Sequence, residues 1–241
     1  KIWLVKRWLF AHRIVHPVTI SDVSKASFTE LYRCDSKLIF NGIPRPVIRS
    51  DYHSPVLEAY RLTPNTSLLL NAARIDTQKN QLVLCQVAQQ LIEEGEDIVL
   101  LMAGNVTNEL MYQSIKPFLS DRIVYLGERQ DIPQLLSEVD AFCLPSLWEG
   151  LPVTLLESLG VGCIPICSPV GGVVNVIQDG YDGLLSASPR IEDYQEVLKR
   201  FLSMSAEERN RLRRAGQMTF GRFEISKTSQ EYVSYYQELL A

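Results

Sequence analysis

From residue 67 onward the chain repeats one pattern: a short run of apolar residues without polar alternation, then a stretch with helical spacing. The apolar runs fall at 68–72, 98–103, 123–126, 141–144 and 164–167, and helical stretches at 78–94, 109–119, 132–137 and 152–159 separate them. A strand that is apolar on both faces must be covered on both, as happens in a parallel sheet between layers of helices. Right-handed crossovers then wind the chain into an α/β fold, a Rossmann-like, doubly wound parallel sheet. A sixth short strand is expected at 183–185, and helices at 191–204, 206–216 and 225–240 close the chain.

The part before residue 67 is less regular. Residues 18–21 read as a short strand, a helix follows from Ser21-Asp22 to about Cys34, and 37–40 read as another strand. The stretch Asn41-Gly42-Ile43-Pro44-Arg45-Pro46 holds two prolines and a glycine, which cannot sit inside a regular element, so a junction between two units is expected there. The first 16 residues carry Lys1, Lys6, Arg7 and Arg13 with no acid, and Trp3, Trp8 and Phe10 lie among them. Such a helix can rest on an anionic membrane surface. It can equally be a domain helix without its packing partner, and this second reading is favoured. The chain opens on Lys1 inside that helix, so a piece of a longer protein is expected.

Composition narrows the function classes. Of 241 residues, 46% are hydrophobic and 22% charged, which is globular and not disordered. A net charge of −4 argues against a broad nucleic-acid footprint. No apolar run approaches the ~18 residues that cross a bilayer. Cys34, Cys85, Cys143, Cys163 and Cys167 are odd in number and irregular in spacing, the usage of reduced, packed thiols in the cytoplasm. Their spacing makes no zinc site, and His12, His16 and His53 are expected to be structural, so no metal is expected.

In an open parallel sheet, ligands bind beyond the carboxyl ends of the strands. After the first strand come Arg74 and Lys79, two cations suited to phosphate oxygens, close to a helix N-terminus. After the second comes Gly104, and after the third Gly127-Glu128-Arg129. The fourth loop runs Pro145-Ser146-Leu147-Trp148-Glu149-Gly150-Leu151-Pro152-Val153-Thr154, with Glu157 in the helix beyond. Pro152 suits the first turn of that helix, which leaves amides near Leu151, Val153 and Thr154 free for an anion. Glu149 and Glu157 can accept hydrogen bonds from sugar or ribose hydroxyls. The fifth loop carries Gly171-Gly172. Each loop alone reads as a solvated turn. Their recurrence at five consecutive strand ends points to a site.

From about residue 18 to the end, these residues resemble the donor-binding, C-terminal half of a retaining GT-B glycosyltransferase of family 4, the group 1 glycosyltransferases. Arg74 and Lys79 match the family's Arg-x-x-x-x-Lys. Glu149 and Glu157 match its Glu-x7-Glu inside Pro-Ser-x-x-Glu-Gly-x-Pro. Gly171-Gly172 and Asp179-Gly180-x-x-Gly183 match its next landmarks, while Ile20-Ser21 and Phe40-Asn41-Gly42-Ile43 resemble the end of its first domain and the linker. The resemblance implies that Arg74, Lys79 and Glu149 are catalytic: the two cations neutralise the departing diphosphate and Glu149 holds the donor sugar. It implies donor contacts at Gly104, Arg129, Gly150, Leu151, Pro152, Val153, Thr154 and Glu157, with backbone near Arg129 meeting the base and Glu157 the ribose. It implies no metal and no cofactor other than the nucleotide-diphospho-sugar itself. The acceptor would be a saccharide or a lipid-linked saccharide, in polysaccharide or glycoconjugate synthesis, in the cytoplasm or peripherally at the inner face of the membrane.

On this resemblance, 1–42 are a remnant of the acceptor domain and linker, 43–222 the donor domain, and 223–241 a helix crossing back. Two departures stand out. Ala73 occupies a position where glycine is more usual, and the family's glycine-rich first loop and its histidine near the reaction centre would lie upstream of Lys1. Two rival readings remain: a GT-B sugar-nucleotide epimerase, and a non-catalytic Rossmann-like interaction module.

Overall fold

The computed structural model describes residues 2–49, 51 and 54–241, so Lys1 and His53 lie outside the described residues. Helix α1 (Ile2–Ala11) leads into a small parallel pair, β1 (Val18–Thr19) and β2 (Lys37–Leu38), joined by α2 (Asp22–Tyr32). Ser21 starts α2 by a reciprocal capping box with Ser24. α1 packs on α2 chiefly through Phe10, whose ring meets the edges of Phe28 and Tyr32. Most of α1 is otherwise exposed, including Trp8 at 53%. The short helix α3 (Pro55–Tyr60) lies in a stretch that sequence patterning leaves irregular.

The main sheet has β3 (Ser67–Ala72), β4 (Ile98–Ala103), β5 (Ile123–Tyr125), β6 (Ala141–Leu144), β7 (Ile164–Cys167) and β8 (Leu184–Leu185). Every pairing is parallel, in the order β5-β4-β3-β6-β7-β8. The Rossmann-like, doubly wound α/β expectation holds. β3, β4, β6 and β7 are buried along their whole length. Alternate residues feed two apolar layers. Leu68, Leu70, Val99, Leu101, Phe142 and Leu144 face one layer with Leu155 and Phe220. Leu69, Leu100, Met102, Cys143 and Ile166 face the other with Leu84, Tyr194 and Phe201. This two-sided burial is what makes the strands read as unbroken apolar runs.

The helices that follow β3 are α4 (Gln81–Glu93), α5 (Glu109–Ile115), α6 (Ile132–Glu138), α7 (Val153–Val161), α8 (Val173–Val176), α9 (Ile191–Leu202), α10 (Ala206–Phe220) and α11 (Ile225–Leu240). Three differ from the patterning in instructive ways. The stretch 78–94 is two elements: a 3₁₀ turn, Thr77–Lys79, and then α4, parted by Asn80 at φ 58°. Asn80 holds this left-handed conformation while its side-chain amide donates to the carbonyls of Pro145 and Pro189. The stretch 109–119 leaves the α-helix at Ile115, since Pro117 has no amide to continue it. Pro152 precedes the first turn of α7 as its N-cap (φ −70°, ψ 124°) instead of lying within that turn, and Gly162 ends the helix at φ 80°.

The thiols are packed as expected. All five are free, and only Cys34 is partly exposed. Burial pushes Cys85 and Cys143 up to about 12, and raises Cys163 and Cys167 as well. At the end of the chain α11 returns to the small N-terminal unit. The Ile43 and Ile225 amides donate to Phe223 and Ile43 carbonyls, the Thr228 hydroxyl donates to the Phe40 carbonyl, and Lys37 pairs with Glu238 at 3.0 Å.

Candidate functional site

From β3 the chain winds outward through β4 and β5, and from β6 it winds the other way through β7 and β8. The two central strands therefore leave a crevice beyond their carboxyl ends, where the winding changes direction. The loop after β3 carries Arg74 and Lys79, and the loop after β6 carries Glu149 and leads to Glu157.

These two loops are tied together. The Leu147 amide donates to the Gln78 carbonyl and the Gln78 side-chain amide to the Trp148 carbonyl, both at 2.8 Å. Lys79 Nζ lies 2.6 Å from Glu149 Oε1, and the Ser146 hydroxyl donates to the same oxygen at 2.6 Å. The Lys79 and Glu149 side chains are 13% and 5% exposed. Arg74 is exposed, with Nη2 3.5 Å from Gln78 Oε1. Asp76 caps the 3₁₀ turn; the Gln78 amide, then the Thr107 hydroxyl and the charges of Arg74 and Lys79, hold its carboxyl below the usual range.

A third loop braces the second. A Cβ on Gly171, which sits at φ 55°, would lie 1.7 Å from the Glu149 carbonyl oxygen, and the Gly172 amide donates to the Gly150 carbonyl at 2.7 Å. The glycine pair thus permits approach of the chain to itself. Gly104 behaves in the same way. Its Cβ would meet the Ala73 carbonyl at 2.0 Å, its amide donates to the Gly127 carbonyl, and its carbonyl accepts from the Tyr125 hydroxyl.

The other donor-contact candidates fall around the same edge. Gly150 is exposed, Leu151 and Pro152 are buried, Val153 is exposed and Thr154 half-buried. α7 begins at Val153 with no side-chain cap, so the first amides of the helix remain available to an anion. Glu157 is half-buried, burial raises its carboxyl above the ordinary range, and no donor or cation among the described residues reaches it. The Arg129 guanidinium is engaged in the chain itself, 2.9 and 2.7 Å from the Asp131 carboxylate. Among the described residues, no three His, Cys, Asp or Glu side chains are placed to hold a metal ion. Nor is any helix among them long and apolar enough to cross a membrane.

Sequence reasoning did not single out Ser146, Gln78 or Asn80. Ser146 stood inside the Pro-Ser-x-x-Glu-Gly context, and that context was its only signal. The N-terminal unit also touches the site. Ile20 packs near Gly150, Ser21 near Gly172, and Asp22 and Asn175 exchange hydrogen bonds at 3.1 and 2.7 Å.

The chain is 33% identical over 144 residues to the UDP-Gal:alpha-D-GlcNAc-diphosphoundecaprenol alpha-1,3-galactosyltransferase of Escherichia coli, covering 58% of this chain and 37% of that one. It is 31% identical over 121 residues to the N,N'-diacetylbacillosaminyl-diphospho-undecaprenol alpha-1,3-N-acetylgalactosaminyltransferase of Campylobacter jejuni, covering 50% and 32%. The chain thus matches only about a third of each relative's length. Among solved structures, a glycosyltransferase from Rickettsia africae superposes with a TM-score of 0.84 at 20% identity, over 93% of this chain and 63% of that one. Anabaena HepE, in complex with UDP and glucose, superposes at 0.78 and 18% identity, over 92% and 62%. Both likenesses show the GT-B fold. The family model described as "Glycosyl transferases group 1" matches residues 58–219, more than half of the chain, and the chain belongs to that family.

Proposed function

We propose that this chain carries the nucleotide-sugar site of a retaining glycosyltransferase, which moves a sugar from a nucleotide-diphospho-sugar to a saccharide or lipid-linked saccharide. The observation that carries this reading is the Lys79–Glu149 pair, 2.6 Å apart and nearly buried at the switch point of the sheet. Burying an ion pair costs desolvation that its attraction seldom recovers, so such a pair is poor evidence for stability and better evidence for a task. A non-catalytic module has no need of it, and the family match leaves no support for the epimerase.

The chemistry follows from charge. As the bond from the anomeric carbon to the diphosphate breaks, negative charge gathers on the leaving phosphate. In this reading Arg74, Lys79 and the free amides of α7 receive it. An ammonium has three donors, so Lys79 can keep Glu149 and still reach a phosphate oxygen. These groups supply the positive charge, and the reading contains no metal step. Glu149 would accept from hydroxyls of the donor sugar and Glu157 from the ribose. The names of the two curated relatives both describe acceptors on diphosphoundecaprenol, which supports a lipid-linked acceptor. For α1 the favoured reading remains a domain helix, with contact to anionic lipid at the inner face of the membrane as its alternative.

Calorimetry with UDP, GDP, their sugar conjugates and the free nucleosides tests the site. Lys79→Ala is expected to weaken the diphosphates about tenfold or more, the worth of a charge-assisted hydrogen bond, and to leave nucleoside binding unchanged. Equal weakening of both would remove the lysine from the phosphate. A folded chain that binds none of these ligands would favour the interaction module.

A further inference from the structure

The loop that presents Glu149 is held from two sides, by Gln78 at Leu147 and Trp148 and by Gly172 at Gly150. Its main chain is therefore fixed, and the remaining freedom is the rotation of the Glu149 side chain. Two donors remove that freedom. Lys79 Nζ and Ser146 Oγ both approach Oε1 at 2.6 Å, and no donor among the described residues reaches Oε2. Ser146 is 0% exposed, so its hydroxyl bonds Glu149 without competition from water.

We propose that Ser146 is a positioning residue that, with Lys79, clamps Oε1 of Glu149 so that Oε2 is left bare and aimed at a hydroxyl of the donor sugar. This rests on the functional reading above and deepens it. The division of labour follows from the donors. An ammonium has three equivalent hydrogens on a flexible stem and holds a carboxylate at one point without fixing its plane. A buried hydroxyl three residues upstream adds a second point on the same oxygen. With the loop holding the carbon end and two donors holding Oε1, the direction of Oε2 is set before the sugar arrives. Such preorganisation lowers the ordering cost of binding. Lys79 therefore has two partners in the working site, the carboxylate and the diphosphate. Ser146 has one, and its effect should be confined to the sugar.

The test compares each nucleotide-sugar with its own nucleoside diphosphate, using UDP with UDP-galactose, UDP-glucose and UDP-N-acetylgalactosamine, and GDP with GDP-mannose. In the wild type, one sugar is expected to add affinity over its parent diphosphate. Ser146→Ala is expected to erase about tenfold of that gain while leaving the parent diphosphate unchanged. In a Glu149→Gln background the same substitution should cost nothing further, because the group it positions is gone. Should the alanine variant not fold, Ser146→Cys keeps the size with a weaker donor and gives the same comparison. Equal loss for diphosphate and nucleotide-sugar would make Ser146 merely structural and overturn the proposal, as would an undiminished loss in the Glu149→Gln background. A wild type that binds nucleotide but gains nothing from any sugar also overturns it. A wild type that binds no nucleotide overturns the functional reading itself, and this proposal with it.

Discussion

Glu157 is a side chain costly to the fold, and the proposed function gives it a use at the ribose. It lies in the second turn of α7, half-buried and without a partner among the described residues, and burial raises its carboxyl above the ordinary glutamate range. A raised folded value means that the ionised form weakens the fold. That penalty is complete above the folded value and vanishes as pH falls below the unfolded value of about 4.3. Glu157→Gln should therefore raise stability at pH 7.5 and lose that advantage near pH 4, while ribonucleotide affinity falls at neutral pH. Urea unfolding at the two pH values checks the first half, and an unchanged difference between them would contradict it. Arg74, Lys79, Glu149 and Glu157 could be singled out in the sequence only by the recurrence of such loops at five strand ends and by the family resemblance that implied their roles. The partnership of Lys79 with Glu149 was not legible there, because nothing in local spacing reports a contact between residues 70 positions apart.

At the scale of elements, the loops after β6 and β7 work as one unit because Gly171 lets them meet. Gly171→Ala would set a Cβ against the Glu149 carbonyl in a backbone conformation that side chains rarely adopt. It is expected to cost more than about 1 kcal/mol of stability and to weaken nucleotide-sugar binding as the Glu149 loop shifts. Gly95→Ala makes the control, since Gly95 also has positive φ, at 99°, but open space around it. Binding unchanged in the Gly171 variant, measured by calorimetry, would mean that the brace does not govern the site. Strand positions were readable because two-sided burial leaves a plain apolar signature. Helix breaks were not. Asn80 parts the 3₁₀ turn from α4 through hydrogen bonds to Pro145 and Pro189, 65 and 109 residues away, and its own neighbours carry no mark of this.

At the scale of the molecule, charge and apolar surface are unevenly shared. The whole chain has a net charge of −4, yet residues 1–16 contain no acid, and Trp3, Val5 and Trp8 on α1 are exposed. If α1 meets anionic lipid, vesicles containing phosphatidylglycerol should bind the chain and shift its tryptophan fluorescence to the blue. Lys6→Glu with Arg7→Glu should abolish the shift, and neutral vesicles should give none. No binding of the unaltered chain would remove lipid contact from the reading.

The central placement of β3 and β6 has a consequence for how the molecule is made. The first half of the sheet, β3 to β5, can pair within itself, and so can β6 to β8. The crevice beyond β3 and β6 belongs to neither half. Its two ties, Gln78 to Trp148 and Lys79 to Glu149, each span 70 residues and close only when the halves join along β3 and β6. Such distant pairings are slow to form, because a long loop must be closed before any contact rewards it. The proposed nucleotide site is therefore assembled only with the joining of the two halves, and a chain caught with one half folded has secondary structure but no crevice.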